Sequence, residues 1–502
     1  MGSGGWFAYA PRSGVAAAGV AGDGRTPDGD LRPELADVGR LLRRGVRGVV
    51  GVARAGEVPT LTSILLEHLG PGVDALDVVE EAWAGYEHVN VQAGLDAWLA
   101  ASGAQVEVVG IVGFQHRPFG LGDLLTGVHG HDPFGPRPGN VARTNLPSGP
   151  DGAVRACVRC GLYLLDDGTS RSVVLLRGAE PETGIDQVTV QVVSTGDGLA
   201  AHTAAQVREA ALRENVFRGQ VLSFGGEMFG RGRTVLAFHR RPELAADQLV
   251  LPSTTLAAVE RQVVGVAAHK ERLLAARQHL KRGLLLYGPP GVGKTHTVRY
   301  LTASLTGTTV IQLTGNALHL IGEACSVARA LQPSMVVVED VDLIAEDRGM
   351  HPGHHPLLFQ LLNEMDGLAE DADVIFVLTT NRADLLEPAL AARPGRVDQA
   401  IALDLPDEHG RRALFELYRG GLEVEPGAAD DAVARSEGVT ASFLKELLRR
   451  AALVAGDRLP RVSRSDVDEA LEELLDTRNA MTRVLLGGTP HPDGDAADPD
   501  QP

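Results

Sequence analysis

The segment Gly288-Pro289-Pro290-Gly291-Val292-Gly293-Lys294-Thr295 constrains the fold of this chain more than any other. It fits the pattern G-x-x-x-x-G-K-[ST] throughout, follows an apolar run at 284–287 and opens a helical pattern over 296–305. Glycines in such a turn let successive backbone N–H groups curl around an anion, and the N-terminus of the next helix adds positive potential. Composition sharpens the reading of the lysine. Of 47 cations only four are lysine, at positions 270, 281, 294 and 445. With arginine used nearly everywhere else, Lys294 stands out as a compact ammonium among glycines, where a planar guanidinium fits poorly. Its place is to reach β/γ-phosphate oxygens, while the Thr295 hydroxyl can ligate Mg2+.

The surroundings agree with that unit. From about residue 249, helical patterns alternate with short apolar runs at 284–287, 310–313, 335–338, 374–378 and 400–403. Uninterrupted runs of this length between helices predict an α/β fold, a parallel sheet with helices on both faces. At roughly 150 residues per domain, 502 residues suggest about three domains. The expected segments are a Gly/Ala-rich tail (1–30), a mostly helical region (31–130), an α+β region (150–245), the α/β unit (248–406), a helices-only lid (407–482) and an acidic tail (483–502). In the second, Val89, Leu95, Trp98 and Leu99 space as a helix made less regular by Gly94, and 106–112 reads as a strand. A Pro/Gly-rich loop at 130–152 is the expected internal boundary. The third region reads as a hairpin turning at Asp166-Asp167-Gly168-Thr169, strands at 188–193 and 234–239, and an amphipathic helix over 200–213.

Further polar residues sit where strands end. Met335-Val336-Val337-Val338-Glu339-Asp340 is an apolar run ending in two acids, at the end of a strand beside the glycine loop, where Mg2+ and an attacking water need carboxylates. Val377-Leu378-Thr379-Thr380-Asn381 ends another strand in an amide able to orient water against a γ-phosphate. Arg393-Pro394-Gly395-Arg396 follows, and arginines near such a site stabilise charge on a transferred phosphoryl group, often from a neighbouring subunit.

With these motifs in order, residues from about 249 to 475, a little under half of the chain, resemble the AAA+ ATPases, and within them the AAA clade of protein remodellers. Glu387-Pro388-Ala389-Leu390 leading into Arg393-Pro394-Gly395-Arg396-Val397-Asp398 looks like that clade's arginine-finger box, and Asn363-Glu364-Met365-Asp366-Gly367 matches its usual helix end. The resemblance implies ATP and Mg2+ as cofactors, and ATP hydrolysis in a homo-oligomeric, hexameric ring that remodels a protein substrate or complex. It implies nucleotide binding by the loop from Gly288 to Thr295 with His296, and adenine contact at Val264 and Gly265. Glu339 would help Thr295 hold Mg2+, Asp340 would activate water and Asn381 would orient it. Arg393 and Arg396 would act on the neighbouring protomer's ATP. The segment 436–453 resembles the lid helix, with Ala441 where the clade usually lacks a sensor arginine. Two positions depart from the pattern. Glu339-Asp340 inverts the usual Asp-Glu order, which points toward slow turnover. Leu320, in His319-Leu320-Ile321-Gly322-Glu323, stands where the clade presents an aromatic to a threaded polypeptide, and an aliphatic side chain offers less flat contact area. The N-terminal half resembles no known family and is expected to recruit the partner.

The charge balance weighs on the alternatives. With 47 cations against 65 acids the net charge is -18, which disfavours a long footprint on phosphate backbones. A nucleic-acid motor or clamp-loader-like ATPase is therefore the weaker rival, beside an ATP-binding switch or scaffold with little turnover. No apolar run approaches the roughly 18 residues of a membrane span. The three cysteines, Cys157, Cys160 and Cys325, make no disulfide framework, so a reducing, cytoplasmic setting is expected. Cys157-Val158-Arg159-Cys160 reads as a structural pair in a strand, and His351, His354 and His355 as solvent-exposed loop residues. The absence of H-E-x-x-H argues against a built-in zinc protease.

Overall fold

The computed structural model describes residues 59–115, 118–127, 135–226, 234–342, 356–384 and 397–475. The expected tails at 1–30 and 483–502 lie outside the described residues, as do 31–58, 476–482 and the three loop histidines. Two sheets organise the rest.

The first sheet begins with β1 (Val79–Ala84), β2 (Gln105–Val112) and β3 (Arg137–Gly139), while β4 (Arg143–Pro147) and β5 (Val154–Val158) pair separately as their own hairpin. It is completed by β6 (Cys160–Asp166), β7 (Arg171–Arg177) and β8 (Gln187–Ser194), in the order β1-β8-β7-β6-β2-β3, antiparallel at every pairing. The helices are α1 (Leu61–Leu69), α2 (His88–Ser102), α3 (Leu121–Thr126) and α4 (Leu199–Arg213). Successive side chains of a strand face opposite ways. Leu162, Leu164, Val173 and Leu175 thus pack under α1 and α3, while Tyr163, Leu165, Val174 and Leu176 pack under α2 and α4. Burial on both faces explains why β6 and β7 read as continuous apolar runs. Gly94 lies where α2 crosses α4: a Cβ there would sit 2.2 Å from the backbone nitrogen of Ala211. The residue that weakens the helical pattern is the one that lets the two helices touch.

Three expectations need correction. The region 31–130, expected to be mostly helical with a strand at 106–112, holds that strand as β2 and in addition β1, a sheet edge rich in Glu80 and Glu81, whose alternation is faint. The loop at 130–152 is not a domain boundary, since β2, before it, pairs with β3 and β6. A Pro/Gly stretch marks a loop, and a loop can return to its own sheet. The strand expected to carry both cysteines is broken at Arg159, so Cys157 and Cys160 fall in different sheets and different apolar clusters. Burial pushes both thiols up to about 12.

The second sheet contains β9 (Val221–Gly226), β10 (Thr234–His239), β11 (Arg282–Tyr287), β12 (Thr309–Leu313), β13 (Ser334–Val338), β14 (Val374–Thr380) and β15 (Gln399–Ala402). Its order is β10-β9-β12-β13-β14-β11-β15, parallel throughout except for the antiparallel edge strand β10. Around it lie α5 (Ser253–Glu260), α6 (Lys270–Ala275), α7 (Lys294–Ser304), α8 (Ile321–Ala330) and α9 (Pro356–Asp366). Leu284, Leu286, Met335, Val337, Ile375 and Val377 face α5 and α7, and their neighbours Leu285, Val336, Val338, Phe376 and Leu378 face α8 and α9. This is the α/β unit expected from the sequence, with one correction. The strand expected at 234–239 in the α+β region is β10, and together with β9, which the sequence reading does not anticipate, it extends this sheet beyond β12. An apolar pattern says strand but carries no information on which sheet it joins.

The lid holds α10 (Glu408–Arg419), α11 (Ala428–Arg435), α12 (Ala441–Ala455) and α13 (Arg464–Leu475) around one apolar cluster. It is not helices only: β16 (Glu423–Val424) and β17 (Arg461–Val462) make a short parallel pair. No helix among the described residues is long and apolar enough to cross a membrane.

Candidate functional site

β11 is an interior strand between β14 and β15, so the loop after it emerges among the carboxyl ends of parallel strands, where α/β sheets bind ligands. Gly288, Gly291 and Gly293 take φ of 150°, 80° and 107°, and a Cβ on Gly288 would lie 2.1 Å from the Leu403 carbonyl oxygen. Only glycine permits this path. Lys294 is the first residue of α7 and is buried, with Nζ donating at 2.8 Å each to the carbonyls of Gly288 and Pro289 and to Asn381 Oδ1. Burial lowers the ammonium's pKa, and the carboxylates of Asp340 and Asp342 oppose that shift.

The acids at the end of β13 stand opposite. Glu339 is pushed above the usual carboxylate range, first by burial and then by Asp340, while a hydrogen bond with Thr295 works against the shift. Thr295 and Glu339, the expected Mg2+ ligands, are thus side by side. Asp340 adopts φ of 52°, sparsely populated for a residue with a Cβ. Its N–H donates to Thr379 Oγ1 at 3.1 Å, and Val341 N–H to the Thr379 carbonyl at 2.9 Å. Asn381 bridges the two charges: its Oδ1 accepts from Lys294, and its Nδ2 donates to Asp340 Oδ1 at 3.5 Å.

Three contributors escaped sequence reasoning. Asp342 is buried, and its Oδ1 accepts from Thr380 Oγ1 at 2.8 Å and from the Asn381 N–H at 3.2 Å, which fixes the start of the Asn381 turn. Thr379 anchors the strained Asp340. Ser442, at the start of α12, donates from its N–H to the Gly291 carbonyl at 3.3 Å, tying the lid to the glycine loop. The signal for Asp342 was present, as the third acid of Glu339-Asp340-Val341-Asp342. Nothing local marks Ser442.

The remaining expected residues are less central. His296 lies in α7, its Nε2 3.1 Å from the Gln248 carbonyl. Val264 and Gly265 belong to a π-helical turn, Arg261–Gly265, and Val264 packs on the cluster that contains Val292 of the loop. Pro290 lies in the same loop as Val292. Ala441 is buried at the first turn of α12. Arg393 and Arg396 lie outside the described residues.

The residues present fit ATP and Mg2+. The loop is a backbone cradle with no space for a side chain at Gly288, it holds a buried cation, and a hydroxyl–carboxylate pair adjoins it. Mg2+ commonly takes one or two protein ligands and completes its shell with phosphates and water. Residues 284–405 match the family model described as ATPase family associated with various cellular activities (AAA). The C-terminal half carries an AAA ATPase domain.

Curated relatives match part of the chain at modest identity. The chain is 30% identical over 262 residues to the ATP-dependent zinc metalloprotease FtsH 3 of Symbiobacterium thermophilum, covering 49% of this chain and 42% of that protein. It is 34% identical over 226 residues to FtsH 2 of Sphaerobacter thermophilus, covering 42% and 34%. It is 31% identical over 229 residues to the chloroplastic FTSH 8 of Arabidopsis thaliana, covering 43% and 33%. The chain thus spans less than half the length of these curated relatives, and its sequence contains no H-E-x-x-H.

One further position departs from expectation. Leu320 and Ile321 are buried, at 7% and 0% exposure, in the cluster that holds Leu222, Phe224 and Leu236 of β9 and β10. The side chain expected to face a threaded polypeptide is instead buried in this shared cluster.

Proposed function

We propose that the AAA domain binds ATP with Mg2+, hydrolyses it, and uses the cycle to remodel a protein partner held by the N-terminal half. The observation that carries the reading is the convergence of Lys294, Asn381, Asp340 and the Thr295–Glu339 pair at the carboxyl ends of β11, β13 and β14. Lys294 and the loop N–H groups bind and orient the phosphates. Mg2+, when bound, supplies positive charge to the phosphate oxygens from the side of Thr295 and Glu339. Asp340 takes the proton of the attacking water, and Asn381, in contact with both Lys294 and Asp340, holds that water in line. The resemblance of 387–398 to the arginine-finger box supports a homo-oligomeric ring, hexameric by analogy, in which Arg393 and Arg396 act on the neighbour's ATP. The Ser442–Gly291 contact gives the lid a path by which a change at the loop moves α12. The burial of Leu320 favours local remodelling of a folded partner over threading of an extended chain.

The test is phosphate release together with nucleotide binding. Asp340→Asn is expected to remove hydrolysis while ATP binding stays within about threefold, and Lys294→Ala to remove both. Unchanged turnover in Asp340→Asn rejects the assignment of the base, and turnover absent from the unaltered chain at every protein concentration favours a scaffold.

A further inference from the structure

Outside the nucleotide site, an open cleft of about 560 Å3 lies between the N-terminal sheet and the AAA sheet. Its floor is apolar, built from Leu146 of β4, Phe217 and Leu236 of β10, with Tyr86 set edge-on against Phe224, ring centroids 5.4 Å apart. Its rim is acidic. Glu180, Glu182 and Asp186 come from the N-terminal side, and Glu323 from the first turn of α8 on the ATPase side. One cation, Arg159, faces them, and it is engaged by Glu180 at 2.6 Å. His88 also lines the cleft but adds no charge near neutrality, because burial pushes its pKa down to about 4. Tyr86 remains a neutral phenol, its ionisation opposed by burial and by the carboxylates of Glu87 and Glu323.

An apolar floor beneath a rim with surplus negative charge selects a ligand that is apolar and cationic at once. The cleft lies between β4 and β10, each of which has a strand neighbour on one side only among the described residues. An edge strand favours an extended polypeptide over a compact molecule, because a second backbone can add to it. We infer that this cleft takes a protein segment in which arginine or lysine alternates with apolar residues, and that it is where the N-terminal half engages its partner. The inference deepens the remodelling reading, on which it rests for the partner being a protein. Since Glu323 shares α8 with Ile321 and follows Leu320 closely, an occupant touches the ATPase domain itself.

The experiment measures fluorescence anisotropy of a labelled peptide alternating arginine and leucine, titrated with the full chain without nucleotide. Its glutamate-for-arginine counterpart serves as the comparison. The expected result is saturable binding of the arginine peptide, weakened at least about tenfold by the exposed pair Glu323→Lys and Asp186→Lys. The remote pair Glu437→Lys and Asp457→Lys, on the lid, is expected to change it less than about twofold and so to report the general effect of net charge. Equal binding of the glutamate peptide, no effect of the cleft variant, or equal loss in the remote variant each overturns the inference. Phosphate release is measured on the same preparations. Hydrolysis without peptide binding rejects the cleft alone, and peptide binding without hydrolysis rejects the remodelling reading alone.

Discussion

Lys294 earns its place by geometry as well as by charge. The other three lysines do different work: Lys270 pairs with Asp373 at 3.0 Å, Lys281 donates to the Met365 carbonyl at 3.0 Å, and Lys445 lies over the Tyr418 ring. Only Lys294 is buried among glycine-loop carbonyls. Its neighbourhood depends on Asp342, which holds Thr380 and the Asn381 backbone without reaching the phosphate cradle. Asp342→Ala leaves the buried Thr380 hydroxyl and the part-buried Asn381 N–H without their acceptor, a cost of about 1–3 kcal/mol, and lets the Asn381 turn drift. The expected outcome is a kcat for phosphate release reduced about tenfold or more, with KM for ATP within about threefold. Equal changes in both would assign Asp342 to binding instead. His88 carries a second expectation. Its folded pKa, about 4, lies below the ordinary value of 6.5, so the unfolded chain takes up the proton first. Its contribution to stability is complete above about pH 6.5 and is lost as pH falls toward 4, by up to about 3 kcal/mol. Urea midpoints at descending pH should trace that loss, and His88→Gln should flatten it over the same interval.

Strands and helices were legible to unequal degrees, and the reason is burial. β6, β7, β11, β13 and β14 are covered on both faces, so their apolar runs announce them. β1 is an edge strand whose Glu80 and Glu81 engage Gln191 and Arg208, and its pattern does not stand out. β10 is legible as a strand and β9 is not, and the pairing of Val221 with Val310 across a parallel ladder is written in neither segment. That pairing makes a prediction about fragments. A chain beginning at 248 loses β9 and β10, which bares the β12 edge together with Leu320 and Ile321. Unpaired edges over apolar surface aggregate. Such a fragment is expected in the void volume on size exclusion, whereas one beginning at 215 should elute as a discrete species. Discrete elution of the shorter fragment would show that the two strands are dispensable to the sheet.

Across the molecule, the N-terminal sheet, the AAA sheet and the lid meet through shared side chains. Val89 of α2 and Cys157 of β5 pack in the same cluster as Leu222 and Ile311, and Ser442 links the lid to the loop. The net charge of -18 finds local expression in the rim of the cleft, where acids from both halves converge. The sequence by itself determined the phosphate cradle, the two-faced burial of the central strands and the order of acid and amide at their ends. Each of these rests on residues close together along the chain, under steric and electrostatic rules that act locally. Tertiary structure alone decided that β9 and β10 join the AAA sheet, that Leu320 is covered, that Asp342 supports Asn381 and that a cleft opens between the two halves. Those outcomes depend on which surfaces meet, and contact between distant segments is set by the packing of whole faces rather than by any one run of residues.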